Sequence, residues 1–173
     1  MEIRLEQLVV RLEQKDDYRE VENLTREAFW DVYRPGCSEH LVLHKLRNAK
    51  SFISDLDYVF VVDKKIIANI VYTKMFNEKG EMLNDVIAFG PISVHPEYQK
   101  RGIGKKIIEI SINRAKELGY KAVLITGNDK FYNPLGFEGA YKYGVTLPGM
   151  SVEDKAEFFM AMELEKGYLS KHS

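Results

Sequence analysis

The alternation of apolar and polar residues along the chain predicts strands and helices in an α/β order. Predicted strands cover residues 8–12, 58–62, 66–76, 83–94, 122–126 and 158–164, where apolar residues alternate or run together. Predicted helices cover 16–32, 39–47 and 105–118, with a helical turn at 129–135, where apolar residues recur at helical spacing. The order is strand, two helices, a three-strand meander, helix, strand, helix, strand.

Glycine and proline mark the interruptions in this pattern. The segment 33–36 should break the first helix, and Gly119 is a plausible C-terminal cap of the third. Gly90 and Pro91 lie inside the longest predicted strand. Because proline cannot donate to a sheet and glycine often marks a bulge, we expect an irregularity there. The polar tail, 165–173, is expected to fray.

Composition describes an ordinary soluble globular chain that we expect to form one domain over residues 1–173. Apolar residues make up 45% and charged residues 29%, and the net charge of −1 gives no electrostatic case for nucleic acid or an anionic membrane as partner. No apolar run is long enough to span a bilayer, and the N-terminus lacks the apolar core of a signal peptide. The one cysteine, Cys37, excludes an internal disulfide. We therefore expect a cytoplasmic protein without a metal site.

The most informative segment runs from Gln99 to Gly104, between the apolar run 86–94 and the amphipathic stretch 105–118. Two glycines at a strand-to-helix transition let the backbone approach a bulky anion. The helix N-terminus adds unpaired N–H groups and a partial positive charge. The segment therefore predicts a phosphate-binding loop. The alternative is a tight strand-to-helix connection without a ligand.

Two families of glycine-rich loop do not fit this segment. A dinucleotide-binding loop needs a third glycine where Ile107 stands, and a nucleoside triphosphate loop needs Gly at Gln99 and Ser or Thr at Lys106. The pattern Gln/Arg-x-x-Gly-x-Gly/Ala does fit. The stretch 90–104 closely resembles the core of the GNAT superfamily of acyl-coenzyme A-dependent N-acyltransferases. The element order resembles the same fold, a mixed sheet with helices on both faces, over nearly the whole chain.

This resemblance implies that the chain binds acetyl-CoA. The N–H groups of the loop would converge on its pyrophosphate, two cations of the loop would pair with phosphate oxygens, and the strand before the loop would bond the pantetheine arm through its backbone. Asn128 would bond the cofactor arm or a water. The implied residues are Ile92, Ser93, Val94, Gln99, Lys100, Arg101, Gly102, Ile103, Gly104, Lys105 and Asn128.

The resemblance also implies the catalytic residues. The segment 131–137 resembles the family's Tyr-x-x-x-Gly-Phe motif, and Tyr132 matches the tyrosine that can protonate the departing thiolate. A phenol with a pKa of about 10 is protonated at neutral pH. Many family members use a carboxylate on the sheet as general base. Asp85 is the first candidate because it is the only acid in the long strand; Glu39, His40 and His95 are alternatives, and a weakly basic amine would need no base.

In this fold the link between the first two helices usually shapes the acceptor pocket, which makes Trp30, Tyr33, Arg34 and Glu39 the predicted substrate-binding residues. The implied activity is an N-acetyltransferase that moves acetyl to a primary amine of a small-molecule or peptide acceptor by direct attack. The alternatives are a module that senses acyl-CoA without turnover, or a structural protein that keeps only the fold. Many proteins of this fold form homodimers.

Overall fold

The computed structural model describes residues 7–32 and 36–172. Its strands are β1 (Val9–Leu12), β2 (Tyr58–Val62), β3 (Lys65–Phe76), β4 (Met82–Val94), β5 (Ala122–Thr126), β6 (Glu138–Gly139) and β7 (Phe159–Glu163). Its α-helices are α1 (Tyr18–Phe29), α2 (Glu39–Leu46), α3 (Ile103–Glu117), α4 (Asp129–Tyr132) and α5 (Tyr168–His172). Every predicted strand and helix is present, with similar bounds except at the end of α1, and the structure adds β6 and α5.

The strands form a mixed sheet in the order β1-β2-β3-β4-β5-β7-β6. Strands β1, β2 and β3 pair antiparallel, and β7 pairs antiparallel with both β5 and β6. The pairing of β4 with β5 is parallel, with Val86 opposite Ala122 and Ile87 opposite Val123. A helix connects these two strands, as a parallel pair requires. The predicted mixed α/β architecture is confirmed.

Two predictions are wrong, one about the end of α1 and one about the C-terminal tail. Helix α1 ends at Phe29 rather than near residue 32, because Trp30 is extended and Asp31 adopts a φ of 58°. The tail predicted to fray contains α5. Its Leu169 is buried in an apolar cluster and donates its N–H to a Glu163 carboxylate oxygen at 2.9 Å. One buried leucine in a polar stretch is too weak a periodic signal to predict a helix.

The residues pack as two compact units, of which the first comprises Met1–Thr73 and Gly90–Asn113. In this unit Val71 packs in a cluster with Val21 and Leu24 of α1. The next residue, Tyr72, shares a 2.8 Å hydrogen bond with the Ser111 hydroxyl of α3. Because successive strand residues point to opposite faces, α1 and α3 lie on opposite faces of β3. The expectation of helices on both faces is confirmed.

The first unit also buries a network of charged side chains. The Arg47 guanidinium donates two hydrogen bonds to Glu13, at 3.0 and 2.7 Å, and one to Glu22, at 2.7 Å. The Asp57 carboxyl contacts Glu13 and accepts a 2.9 Å hydrogen bond from the Asn69 amide. Burial, reinforced by Glu13, raises the pKa of Asp57 to about 9. The raised pKa favours the protonated form of the Asp57 carboxyl in this buried position.

The second unit comprises Lys74–Phe89 and Arg114–Ser173. Its core joins residues of β4, β5 and β7 with the segment after β6 and with α5. The fully buried or nearly buried members are Val86, Ala122, Leu124, Ala140, Phe159, Ala161 and Leu169. This core packs along β5, and the segment after β5 contains the short helix α4 and the fully buried Phe137.

Strand β4 carries the irregularity that the Gly90–Pro91 pair predicts. Gly90 has a φ of 140°, which is a backbone conformation that residues with a side chain rarely adopt. The strand continues beyond this point to Val94, and the phosphate-loop candidate follows after His95 and a single helical turn, Pro96–Tyr98.

Candidate active site

The predicted phosphate loop lies at the N-terminus of α3. The Lys106 N–H donates to the Gly102 carbonyl at 3.1 Å, so Gly102 accepts the first helical hydrogen bond. The N–H groups of Ile103, Gly104 and Lys105 precede that bond and have no acceptor within the helix. They carry the partial positive charge of the helix terminus. This geometry suits an anion such as a pyrophosphate.

The two loop glycines serve different purposes. Gly102 has a φ of 78°, and a Cβ atom built on it would meet nothing within 4 Å. Its backbone therefore requires glycine, while the space beside it is open to a bulky group. A Cβ on Gly104 would lie 3.8 Å from a Val94 methyl, which is ordinary contact. This agrees with a pattern that accepts either glycine or alanine at the last position. The loop thus fits a pyrophosphate.

The side chains around the loop divide between structural and exposed positions. Gln99 donates from its amide to the Val94 carbonyl at 3.0 Å and so ties the loop to the end of β4. Lys100, with a φ of 62°, and Arg101 are exposed. The Arg101 guanidinium lies 5.9 Å from the centroid of the Tyr98 ring. The two cations therefore lie at the surface, next to the N-terminus of α3.

The side chain of Ser93 is structural. It is 1% exposed, and its hydroxyl donates at 3.0 Å to that of Thr25, which in turn donates to the Val21 carbonyl. By strand alternation Ile92 and Val94 point to the opposite face, and both are half-buried. The predicted contribution of these three residues through their backbone remains a prediction.

His95 forms the turn that leads into the loop. Its Nδ1 accepts a hydrogen bond from the Glu97 N–H at 3.2 Å, so its Nε2 carries the proton of the neutral ring. That nitrogen lies 3.3 Å from a Glu27 carboxylate oxygen of α1. Both ring nitrogens are thus engaged in holding the turn against α1, and this contact gives His95 a structural role.

The predicted acceptor residues lie around the ends of α1 and α2. Trp30 is 49% exposed, stacks with the Arg26 guanidinium at 4.9 Å, and helps to line a cavity of about 570 Å³. Glu39 is the first residue of α2, and its carboxylate accepts a 3.0 Å hydrogen bond from the Ser38 N–H. Tyr33 and Arg34 lie outside the described residues.

In the second unit, Asn128 immediately precedes the short helix α4, and Tyr132 is the last residue of this helix. The Asn128 side-chain oxygen accepts from the Lys130 N–H at 3.0 Å and caps the helix, while the residue itself is exposed. Tyr132 is half-buried, and its ring lies among three phenylalanine rings at centroid distances of 4.8 to 6.0 Å. The phenylalanines are Phe89, Phe131 and Phe137.

Gly127 is a residue of this region that the sequence analysis missed. It follows β5 directly, and the ring of Tyr132 lies against its Cα so closely that a Cβ atom would be 2.6 Å from the ring carbon Cε2. A glycine after a buried strand was the available signal. The direction of the tyrosine ring, which makes that glycine necessary, depends on the turn of α4 and is not visible in the sequence.

Asp85 is not brought together with Tyr132. Its carbonyl accepts from the Lys121 N–H at 2.8 Å, and its carboxylate accepts from the Tyr168 hydroxyl at 3.2 Å. Asp85 therefore lies beside the beginning of β5, whereas Tyr132 follows its end. Five strand residues at about 3.3 Å each separate these positions by roughly 17 Å. The assignment of Asp85 as the general base stays a prediction.

Comparison with known proteins agrees with this geometry. A family profile for the acetyltransferase (GNAT) domain matches residues 55–139, just under half of the chain, and includes the loop and Tyr132. The chain is 32% identical to the uncharacterized N-acetyltransferase YjhQ of Escherichia coli K12 over 75 residues, which cover 43% of this chain and 41% of that relative. It is 25% identical to the uncharacterized N-acetyltransferase YhbS of the same strain over 76% of this chain and 74% of the relative. Residues 55–139 of the chain therefore resemble the GNAT acetyltransferase domain, and the two relatives carry the same family description.

Solved structures support the same fold. The structure of Escherichia coli YhbS in complex with CoA matches with a TM-score of 0.79 and 22% identity, over 94% of this chain and 84% of that one. A GNAT family acetyltransferase from Brucella melitensis in complex with acetyl-CoA matches with a TM-score of 0.73 and 22% identity, over 90% and 87%. At this level of identity the likeness establishes the fold.

Membrane-spanning helices and metal-binding clusters are both absent from residues 7–32 and 36–172. Within these ranges no helix is long and apolar enough to cross a membrane. In the same ranges no group of three or more His, Cys, Asp or Glu side chains is arranged to hold a metal ion.

Proposed function

We propose that this chain is an N-acetyltransferase that uses acetyl-CoA to acetylate a primary amine of a small-molecule or peptide acceptor. The observation that carries the proposal is the loop Gln99–Gly104 at the start of α3. It combines free N–H groups of a helix terminus, a glycine in a left-handed conformation with open space beside it, and two exposed cations. The complexes of two structural relatives with CoA and acetyl-CoA support the same ligand.

The loop supplies the binding energy for the coenzyme. The N–H groups of Ile103, Gly104 and Lys105 hold the pyrophosphate, and charge-assisted hydrogen bonds from Lys100 and Arg101 strengthen the contact. Gln99 contributes indirectly, because its hydrogen bond to Val94 fixes the loop against the end of β4. The backbone of Ile92–Val94 is the proposed partner of the pantetheine arm, and Asn128 is proposed to bond that arm or a water.

Bound acetyl-CoA supplies an acetyl thioester, whose C–S bond breaks as the acceptor nitrogen forms the new C–N bond. Tyr132 is the proposed general acid: its hydroxyl gives a proton to the departing sulfur, which takes the electron pair of the broken bond. The neutral phenol suits this role at neutral pH. The ring packs against three phenylalanine rings, which orients the hydroxyl. Asp85 is the proposed final acceptor of the amine proton, which would reach it through water because roughly 17 Å of strand separate Asp85 from Tyr132.

The acceptor is proposed to enter beside the C-terminal end of α1. Trp30 offers an exposed aromatic surface there, and Glu39 offers a carboxylate at the start of α2. An indole face attracts a cationic amine or packs against an apolar substituent. Tyr33 and Arg34, between these two residues in the chain, complete the proposed substrate-binding set.

The test of this function begins with thermal melting of the protein with and without acetyl-CoA. A ligand at about one hundred times its Kd adds about 2.7 kcal/mol to the free energy of unfolding. For a chain of this size that corresponds to a rise in Tm of about 5–10 °C. Absence of any rise with acetyl-CoA, free CoA or longer acyl-CoAs would refute the proposal.

Turnover is then measured as release of the CoA thiol in the presence of a panel of primary amines. Amine-dependent thiol release, with the acetylated amine identified by mass, supports the enzymatic function. Coenzyme binding without thiol release for any amine in the panel favours the alternative in which the chain senses acyl-CoA without turnover.

A further inference from the structure

We propose that Gly127 is a positioning residue that sets the orientation of the Tyr132 ring. The catalytic part of this inference rests on the proposed function, in which the Tyr132 hydroxyl protonates the departing thiolate. The steric part rests on the structure alone. Glycine is required at this position because the tyrosine ring occupies the space that any side chain would need.

The evidence is the approach of the ring to the backbone. A Cβ atom built on Gly127 would lie 2.6 Å from Cε2, 3.3 Å from Cδ2 and 3.6 Å from Cζ of Tyr132. Non-bonded carbon atoms prefer separations of about 3.5–4.0 Å, so an alanine forces either the ring or the backbone to move. The φ of Gly127 lies outside the left-handed region. An alanine there is therefore opposed by the ring rather than by backbone conformation.

Both the ring and the backbone have close neighbours. The ring of Tyr132 has Phe131 at 4.8 Å, Phe137 at 5.9 Å and Phe89 at 6.0 Å between centroids. The Gly127 N–H donates to the Phe158 carbonyl at 2.9 Å, which ties Gly127 to the residue immediately before β7. A methyl group at position 127 must therefore turn the tyrosine ring within its aromatic surroundings, and the hydroxyl at its tip moves with it.

A displaced hydroxyl affects proton donation more than coenzyme binding. A hydrogen bond to the leaving group weakens steeply with distance and angle. A misplacement of about 1 Å can lower a rate by about a hundredfold. The coenzyme is held mainly at its pyrophosphate, by other residues. We therefore expect Gly127→Ala to reduce kcat and to leave the KM for acetyl-CoA nearly unchanged.

The first experiment is a double-mutant cycle on kcat with Gly127→Ala and Tyr132→Phe. Gly127→Ala alone should lower kcat at least about tenfold. Added to Tyr132→Phe, which keeps the ring but removes the hydroxyl, it should cause no further loss. The matched control is Gly139→Ala, whose Cβ would lie 2.8 Å from Cδ1 of Tyr141 in the same unit and which should keep kcat. An equal loss of kcat in both Tyr132 backgrounds would overturn the catalytic part.

The second experiment measures Tm without any ligand, so that it decides the steric part even if the protein has no acetyltransferase activity. Gly127→Ala should lower Tm in the wild-type background and should not lower it after Tyr132→Ala, which removes the ring. If Tyr132→Ala does not fold, Tyr132→Leu serves the same purpose. An unchanged Tm in the wild-type background, or the same decrease in both backgrounds, would show that the ring does not require glycine at position 127.

Discussion

The raised pKa of the buried Asp57 carboxyl makes the stability of this protein depend on pH. In the folded chain Asp57 is 2% exposed, and its pKa is raised to about 9, chiefly by burial. In the unfolded chain the same carboxyl has a pKa of about 3.9. Between these values the folded state binds one proton more than the unfolded state, so stability falls as the pH rises. The loss is complete once the pH exceeds the folded pKa.

The replacement Asp57→Asn should remove this dependence. Asparagine has the shape of the protonated acid: its amide can donate to Glu13, and its carbonyl can accept the bond that Asn69 now gives to Asp57. One proton linked to folding changes the free energy of unfolding by about 1.4 kcal/mol per pH unit. Relative to the variant, the wild-type protein should lose up to about 2.7 kcal/mol from about pH 6 to about pH 8.

That difference is large against the roughly 5–15 kcal/mol that stabilises a typical domain. It is measured by urea unfolding of both proteins at several pH values between these limits, with the free energy extrapolated to water. Asp55→Asn is the matched control, because Asp55 is exposed on the turn that precedes Asp57. It should run parallel to the wild type. If the free energy of unfolding of Asp57→Asn changes with pH in parallel with that of the wild type, Asp57 is ionised in the folded state and its pKa is not raised.

Three further predictions concern the site. Gly102→Asp should weaken acetyl-CoA binding at least about tenfold, because the new side chain is bulky and carries the same charge as the pyrophosphate. The matched control, Gly80→Asp, should not weaken binding, although Gly80 has the same φ of 78° and equally open surroundings. Calorimetric titration measures both affinities, and equal values would show that the loop is not the pyrophosphate site. Tyr132→Phe should lower kcat by about a hundredfold or more with little change in acetyl-CoA affinity, and an unchanged kcat in the thiol-release assay removes the general-acid role. Asp85→Asn should lower kcat similarly if this residue is the base, and a full kcat would leave its carboxylate only the hydrogen bond from the Tyr168 hydroxyl.

The parts of the fold that the sequence predicts well are those with local causes. Strand β5 was predicted with its observed bounds because its apolar run ends sharply at both sides. The start of α3 was predicted within two residues because glycines mark it. Strand β6 was missed because two residues are too few to show an alternation of apolar and polar positions, and α5 was missed because a single buried leucine shows no helical periodicity. The position of α5 depends on the apolar cluster that Leu169 joins, which is assembled from distant parts of the chain.

The candidate site divides in the same way. The loop Gln99–Gly104 is continuous in sequence, so its pattern and its geometry could be predicted together. Asp85 was selected as an acid on a central strand, but the register of that strand against β5 decides its surroundings. Register is set by pairing between segments more than thirty residues apart, and the sequence of one strand does not contain it. The structure accordingly leaves Asp85 beside the beginning of β5, next to Tyr168.

Gln99 illustrates why a motif can locate a site without stating what each of its residues does. Its place at the head of the loop pattern suggests contact with the anion, yet its amide is bonded to the Val94 carbonyl. This hydrogen bond holds the start of the loop against the end of β4, and so helps to fix the backbone from which the loop N–H groups project. In the proposed site, Gln99 would therefore contribute to anion binding through the backbone that it holds in place. Gly102 would contribute in the same indirect way, by permitting a conformation, and the proposed binding groups are main-chain atoms that every sequence possesses.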